Sequence, residues 1–168
     1  MTFPDSVEQF LKWLEATPLA VTILENEVLF PWIESIHVLA IVLVVGTISI
    51  IDLRLLGVAS LDRAATRLMA DVLPWTWGAF VVAVITGSLL FSSNAAKYAH
   101  NFFFEGKMVL LAAAGVNMAI FHAFGVRDAA RWDTARRTPP AAKAAGAVSL
   151  LLWISVVAFG RWIGFTLH

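Results

Sequence analysis

The chain contains no cysteine and little charge, and these two absences exclude several classes of protein. Without cysteine there are no disulfides and no thiolate ligands for a metal. Charged residues make up 14% of the 168 residues and hydrophobic residues 60%, which lies far outside the composition of soluble globular domains. The excess of apolar side chains therefore predicts a protein that faces lipid.

The chain also has few residues that interrupt its long apolar stretches. Crossing a hydrocarbon core takes about 20 apolar residues at roughly 1.5 Å per residue. Four stretches meet this length, at residues 28–56, 72–96, 108–126 and 144–167. They predict an all-α polytopic membrane protein, a bundle of four transmembrane helices that forms one domain over residues 1–168.

The N-terminal segment lacks the basic residues of a signal peptide, so we interpret it as part of the mature chain. Ser6 is a suitable N-cap, and apolar residues follow it at helical spacing with charged residues opposite. This pattern predicts a short interfacial helix over residues 5–16, which Thr17-Pro18 ends.

Basic residues are unevenly shared between the two predicted faces of the membrane. One face carries eight of the twelve, namely Arg54, Arg63, Arg67, Arg127, Arg131, Arg136, Arg137 and Lys143. By the positive-inside rule this face is cytoplasmic, and both termini lie on the other side. For a bacterial inner membrane, that side is the periplasm.

Ionisable residues at membrane depth are costly and suggest a functional site. The rise per residue places His37 about a third of the way in from the outer side, and Lys107 and Arg161 fall at nearly the same level. Glu34 shares a helical face with His37. His100 and Tyr98 belong to the loop above this layer.

A b-type haem explains these residues as a set. Neutral imidazole is a usual axial ligand, and a porphyrin fits between four helices. His37 is then the ligand, His100 or Lys107 stands on the opposite face, and Arg161 pairs with the propionates. The plainer alternative is that His37 only forms a hydrogen bond between helices.

Copper is the competing cofactor, because imidazole also suits copper and thioether sulfur suits its reduced form. His37, His100 and Met108 are the candidate ligands near the outer opening. The supply of sulfur is small, since only Met108 and Met118 lie within the predicted spans.

Small residues mark places where helices approach closely or where a flat ring finds room. The candidates are Gly46 with Ser49, Thr86 with Gly87, and residues 112–115. Such faces also favour a homo-oligomer within the lipid bilayer. Nothing in the sequence indicates a nucleic acid partner, and it does not identify a redox partner.

Two segments resemble a known family. Ser35-Ile36-His37-Val38-Leu39-Ala40, followed by Gly46 and Asp52-Leu53-Arg54-Leu55, is similar to the first helix of HemJ-type protoporphyrinogen oxidases. Glu105-Gly106-Lys107-Met108-Val109-Leu110, running on to Phe121-His122, is similar to their lysine-led third helix. CopD-like copper-resistance membrane domains share a weaker version of both features.

The resemblance implies that His37 and Lys107 are associated with haem b and that Arg54 matches the family arginine at the end of helix one. Leu53 stands where that family has proline. We therefore expect a haem-b-binding membrane protein that transfers electrons or acts on porphyrins, and we prefer electron transfer. The alternatives are a protein that handles copper or another metal, and a structural subunit without a cofactor.

Overall fold

The computed structural model describes residues 3–60, 62–125 and 138–166. Within these ranges the chain is helical and forms no strand. The helices, in chain order, are α1 Asp5–Glu15, α2 Pro18–Glu25, α3 Leu29–Leu56, α4 Ala65–Ser93, α5 Ala95–Ala99, α6 Phe102–Ile120 and α7 Pro140–Thr166. A π-helical turn, Phe121–Gly125, continues α6.

The four long helices α3, α4, α6 and α7 are each long and apolar enough to cross a membrane. Their outward faces carry large apolar side chains, and Leu39, Val81 and Val109 each expose more than half of their surface. Such faces are stable only against lipid or another apolar surface. The predicted bundle of four transmembrane helices is confirmed.

Three short helices, α1, α2 and α5, lie at one end of the bundle, which we call the cap end. The Glu15 side chain accepts a hydrogen bond of 2.9 Å from the backbone N–H of Ala96 and so joins α1 to α5. Helix α2 was not predicted from the sequence. Thr17 is its N-cap and Pro18 its first residue, which is the position where proline favours a helix start.

The opposite end, which we call the arginine end, is organised around Arg54. Helix α3 stops just beyond this residue because Gly57 adopts a left-handed conformation, with φ of 80°. The Arg54 side chain is 1% exposed. Its Nε donates to the carbonyl of Arg63 at 2.9 Å and its Nη1 to the hydroxyl of Thr138 at 3.5 Å. Arg54 thereby joins α3 to the segments that precede α4 and α7.

The long helices do not close into a complete ring. Helix α3 packs against α4 and α7, and α6 packs against α7, whereas α4 and α6 hardly touch within the described residues. The gap between these two helices is called the α4–α6 crevice below. Phe91 of α4 stacks on Phe104 of α6, with ring centroids 5.3 Å apart, and closes the crevice at the cap end.

Candidate functional site

His37 projects from α3 toward α4. Its Nδ1 lies 3.0 Å from the hydroxyl oxygen of Thr86. The Thr86 hydroxyl has one hydrogen, and it donates this hydrogen to the carbonyl of Val82 at 2.7 Å. In this arrangement the oxygen of Thr86 accepts from His37, which corresponds to the tautomer with the ring proton on Nδ1 and the lone pair on Nε2.

Gly87 makes room for the imidazole. A Cβ atom at this position would lie 2.9 Å from Cε1 of His37 and 3.7 Å from its Nε2. Any residue with a side chain would have to displace the ring. The adjacent pair Thr86-Gly87 thus gives His37 a hydrogen-bond partner and room for its ring, and the pair is among the small-residue positions that the sequence indicates.

Lys107 enters the same layer from α6. It is partly buried, and its charge interacts with His37. Its Nζ lies 3.7 Å from where a Cβ of Gly160 in α7 would stand. The structure therefore brings His37 and Lys107 together, with Thr86-Gly87 and Gly160 contributed by the other two long helices.

Arg161 does not join this pair. Its side chain is exposed, and its guanidinium lies over the ring of Phe165, 4.8 Å from the centroid. One helical turn of α7 accounts for this contact, because residues four apart share a face. The rise per residue predicts the depth of Lys107 and Arg161, but it does not predict the direction in which the Arg161 side chain points.

His100 has a separate place at the cap end. Its Nε2 lies 2.9 Å from Oε1 of Glu8, and its Nδ1 lies 2.8 Å from the carbonyl oxygen of Ala96. Phe3 contacts the ring edge to face at 5.1 Å. The Nε2 contact thus attaches α1 to the end of α5, while the Nδ1 contact is local to α5.

Tyr98 and Glu34 stand above the His37 layer. The Tyr98 ring packs against Phe91 and Phe104 at the closed end of the crevice. Burial, and then the negative charge of Glu34, raise the pKa of Tyr98. The Tyr98 side chain is therefore neutral, and its hydroxyl can donate a hydrogen bond.

Arg54 lies far from His37. The two residues are separated by 17 positions of one continuous helix, or about 25 Å at 1.5 Å per residue. The structure gives Arg54 a place in the arginine end, away from the His37 layer. Among the described residues no group of three or more His, Asp or Glu side chains gathers as a metal site.

Asp52 was not predicted as a site residue, although it is an acid inside an apolar stretch. It is 4% exposed, and its Oδ2 makes no hydrogen bond within the described residues. The available signal was a lone carboxylate four residues before the end of a transmembrane helix.

Comparison with known proteins identifies a family and nothing closer. The family of unknown function DUF6644 matches residues 10–166, and the chain belongs to this family. No curated protein and no solved structure shows significant similarity to it.

Proposed function

We propose that this DUF6644 protein binds haem b within the membrane, with His37 as an axial ligand, and serves in electron transfer. The supporting observation is the 3.0 Å contact between Nδ1 of His37 and the hydroxyl of Thr86; in the tautomer that donates from Nδ1, the lone pair is on Nε2. Histidines that ligate metals almost always donate their other N–H in this way, and the bond fixes the orientation of the ring.

Lys107 is the group we assign to the second face of the site. It comes from α6, across the bundle from the α3 helix that carries His37, and it lies close enough to interact electrostatically with the imidazole. Lysine is a flexible side chain that loses its proton readily when buried, so its amine can serve as a ligand or as a neutral hydrogen-bond donor. In either role it would bind the ligand together with His37.

Space for a flat macrocycle in this layer would have to come from the α4–α6 crevice. Gly87 and Gly160 have no side chains, but the imidazole of His37 and the amine of Lys107 pack into the space that they leave. The α4–α6 crevice separates two helices next to this layer. A haem held here would supply one-electron transfer, while His37 and Lys107 bind it and the apolar helices exclude water.

Optical spectroscopy of the purified protein tests the proposal. The full chain, produced with added haem precursor and purified in a neutral detergent, is expected to carry about one haem b with a sharp Soret band. His37→Ala is expected to lose nearly all of this absorbance, because the axial ligand is gone. His122→Ala and His100→Ala are matched controls that remove an imidazole elsewhere, and both are expected to keep the band.

Three results would reject the haem assignment. They are a colourless wild-type protein under haem-replete conditions, a His37→Ala variant with full absorbance, and equal losses in all three histidine variants. A colourless preparation with stoichiometric copper, measured by mass spectrometry of the metal, would instead support the copper alternative.

Thr86 is expected to act as a positioning residue for His37. Thr86→Val keeps the shape of the side chain but removes the acceptor of the Nδ1 proton, so the imidazole loses its fixed tautomer. Removing the hydrogen-bond partner of a metal-ligating histidine generally costs 10-fold or more in metal affinity, and we expect about a 10-fold weaker haem affinity together with a shifted reduction potential. Thr86→Ser, which keeps the hydroxyl, is expected to restore both quantities.

An unchanged reduction potential in Thr86→Val would contradict this role. If Thr86 has only a structural role, both Thr86→Val and Thr86→Ser would lower the amount of folded protein, and the reduction potential of the bound haem would not change.

A further inference from the structure

A second feature, independent of the His37 layer, is a cavity in the half of the bundle toward the arginine end. Its volume is about 180 Å³, and residues of all four long helices line it. The walls are mostly aliphatic and aromatic, and the aromatic rings belong to Trp77, Phe80, Phe121 and Trp153. A cavity of about 150 Å³ with apolar walls accepts benzene, so this one has room for a ligand with a single aromatic ring.

Asp52 supplies an unpaired carboxylate oxygen to this apolar space. The residue lines the cavity and is 4% exposed, and its Oδ2 makes no hydrogen bond to any described residue. Ser149 in α7 stands beside the carboxyl group as a hydrogen-bond donor. A buried carboxylate oxygen without a partner costs several kcal/mol in general, so such a group usually has a function or a ligand.

The two nearby basic residues, Arg54 and His122, have hydrogen-bond partners other than Asp52. Arg54 donates to the carbonyl of Arg63 and to Thr138, both at the arginine end. His122 lines the cavity, but its ring is exposed and its Nδ1 faces the carbonyl oxygen of Met118 at 3.3 Å. Asp52 and His122 are the titratable residues among the lining residues.

A carboxylate and four aromatic rings that line one cavity match one class of ligand. Aromatic rings attract cations through the negative potential of their faces, and alkylated ammonium groups are the usual organic cations bound in this way. The carboxylate adds a charge partner in a setting where solvent screening is weak. An inorganic cation needs several oxygen ligands, whereas the walls here are mostly carbon.

We propose that this cavity is a binding site for a small aromatic organic cation, with Asp52 as the charge partner and the four aromatic rings as its walls. The site lies about 22 Å along α3 from His37, since 15 residues separate the two positions. It therefore holds its ligand whether or not haem is bound.

The cavity also has a route for a ligand that dissolves in the bilayer. A second hollow, lined by α4 residues from Thr66 to Trp77 and by His122, adjoins it. The two share Met69, Leu73, Trp77 and His122. A lipophilic cation can thus reach Asp52 past the edge where α4 and α6 stand apart.

Calorimetric titration of the full-length protein in a neutral detergent tests the site. The probes are trimethylphenylammonium and tert-butylbenzene, which have the same shape and differ in charge. We expect the wild type to bind the cation about 10-fold more tightly than the neutral compound, and Asp52→Asn to abolish this preference. Asp71→Asn, an exposed acid near the same end of the bundle, is the matched control and is expected to bind as the wild type does.

A second variant guards against a misfolded Asp52→Asn protein. Ala114 is buried and lines the cavity, so Ala114→Leu is expected to fill the space and weaken binding of both probes while Asp52 remains. The proposal is overturned if the wild type binds neither probe, if it binds both equally, or if Asp52→Asn keeps the preference for the cation. His37→Ala is expected to bind the cation normally, so failure of this site and failure of the haem site are distinguishable.

Discussion

Arg54→Ala is expected to lower the free energy of unfolding by about 3–5 kcal/mol, because it empties a fully buried position and breaks a junction between three segments. The guanidinium binds the carbonyl of Arg63 and the hydroxyl of Thr138, and its side chain is 1% exposed. Truncation to alanine leaves the carbonyl of Arg63 and the buried hydroxyl of Thr138 without this donor. Unfolding by titration with a denaturing detergent, followed by tryptophan fluorescence, measures the loss.

Arg67→Ala is the matched control for this prediction. Arg67 lies near the start of α4, at the arginine end of the bundle, and its side chain is exposed. Its removal is therefore expected to change the free energy of unfolding by no more than about 0.5 kcal/mol. Arg54→Lys keeps the charge but replaces the planar guanidinium, with its several N–H donors, by a single ammonium group. Its loss in the free energy of unfolding is expected to fall between those of Arg54→Ala and Arg67→Ala. Equal stability of Arg54→Ala and Arg67→Ala would show that the junction does not hold the bundle together.

The number of transmembrane helices could be predicted from the sequence, whereas their ends could not. Hydropathy marks the part of a helix that lies in lipid, but backbone hydrogen bonding continues beyond it. Helix α4 begins at Ala65, before the predicted 72, and includes the charged Arg67 and Asp71. Helix α6 begins at Phe102, where the side chain of Asn101 caps it, and not at 108.

Depth along a helix could also be predicted, but direction around its axis could not. A fixed rise per residue was sufficient to place His37 and Lys107 in one layer. That Thr86 is the hydrogen-bond partner of His37 could not be predicted, because it depends on how α3 is rotated about its axis relative to α4. Both the lipid-facing and the buried sides of these helices are apolar, so the pattern of hydrophobic residues does not reveal this rotation.

The small residues illustrate the same limit. Gly46 and Ser49 were predicted to mark a close helix contact or room for a ring, yet a Cβ at Gly46 would meet no atom within 4 Å. The close approach between α3 and α7 is at Gly146 instead. A Cβ there would lie 3.1 Å from both the carbonyl oxygen of Asp52 and the Cβ of Leu55.

Gly146→Leu is expected to destabilise the bundle by about 2–3 kcal/mol, since the added side chain meets the backbone of α3 at a buried position. A backbone atom cannot turn aside as a side chain can, so α7 must move away from α3. Gly146→Ala adds one carbon 3.1 Å from its nearest neighbours, which is closer than an ordinary van der Waals contact. It is expected to lower the free energy of unfolding by about 1 kcal/mol. The same detergent titration measures both variants.

Gly164→Leu is the control on the same helix, because a Cβ at Gly164 meets nothing within 4 Å. This substitution is expected to leave the free energy of unfolding unchanged or to raise it by up to about 1 kcal/mol, because leucine has a better helix propensity than glycine. If Gly146→Leu were as stable as Gly164→Leu, the α3–α7 contact would not be tight, and Asp52 would not be held in the buried position that the cation site requires. A large loss at Gly146 alone would instead show that this one glycine sets the distance between the two helices that carry Asp52 and Ser149.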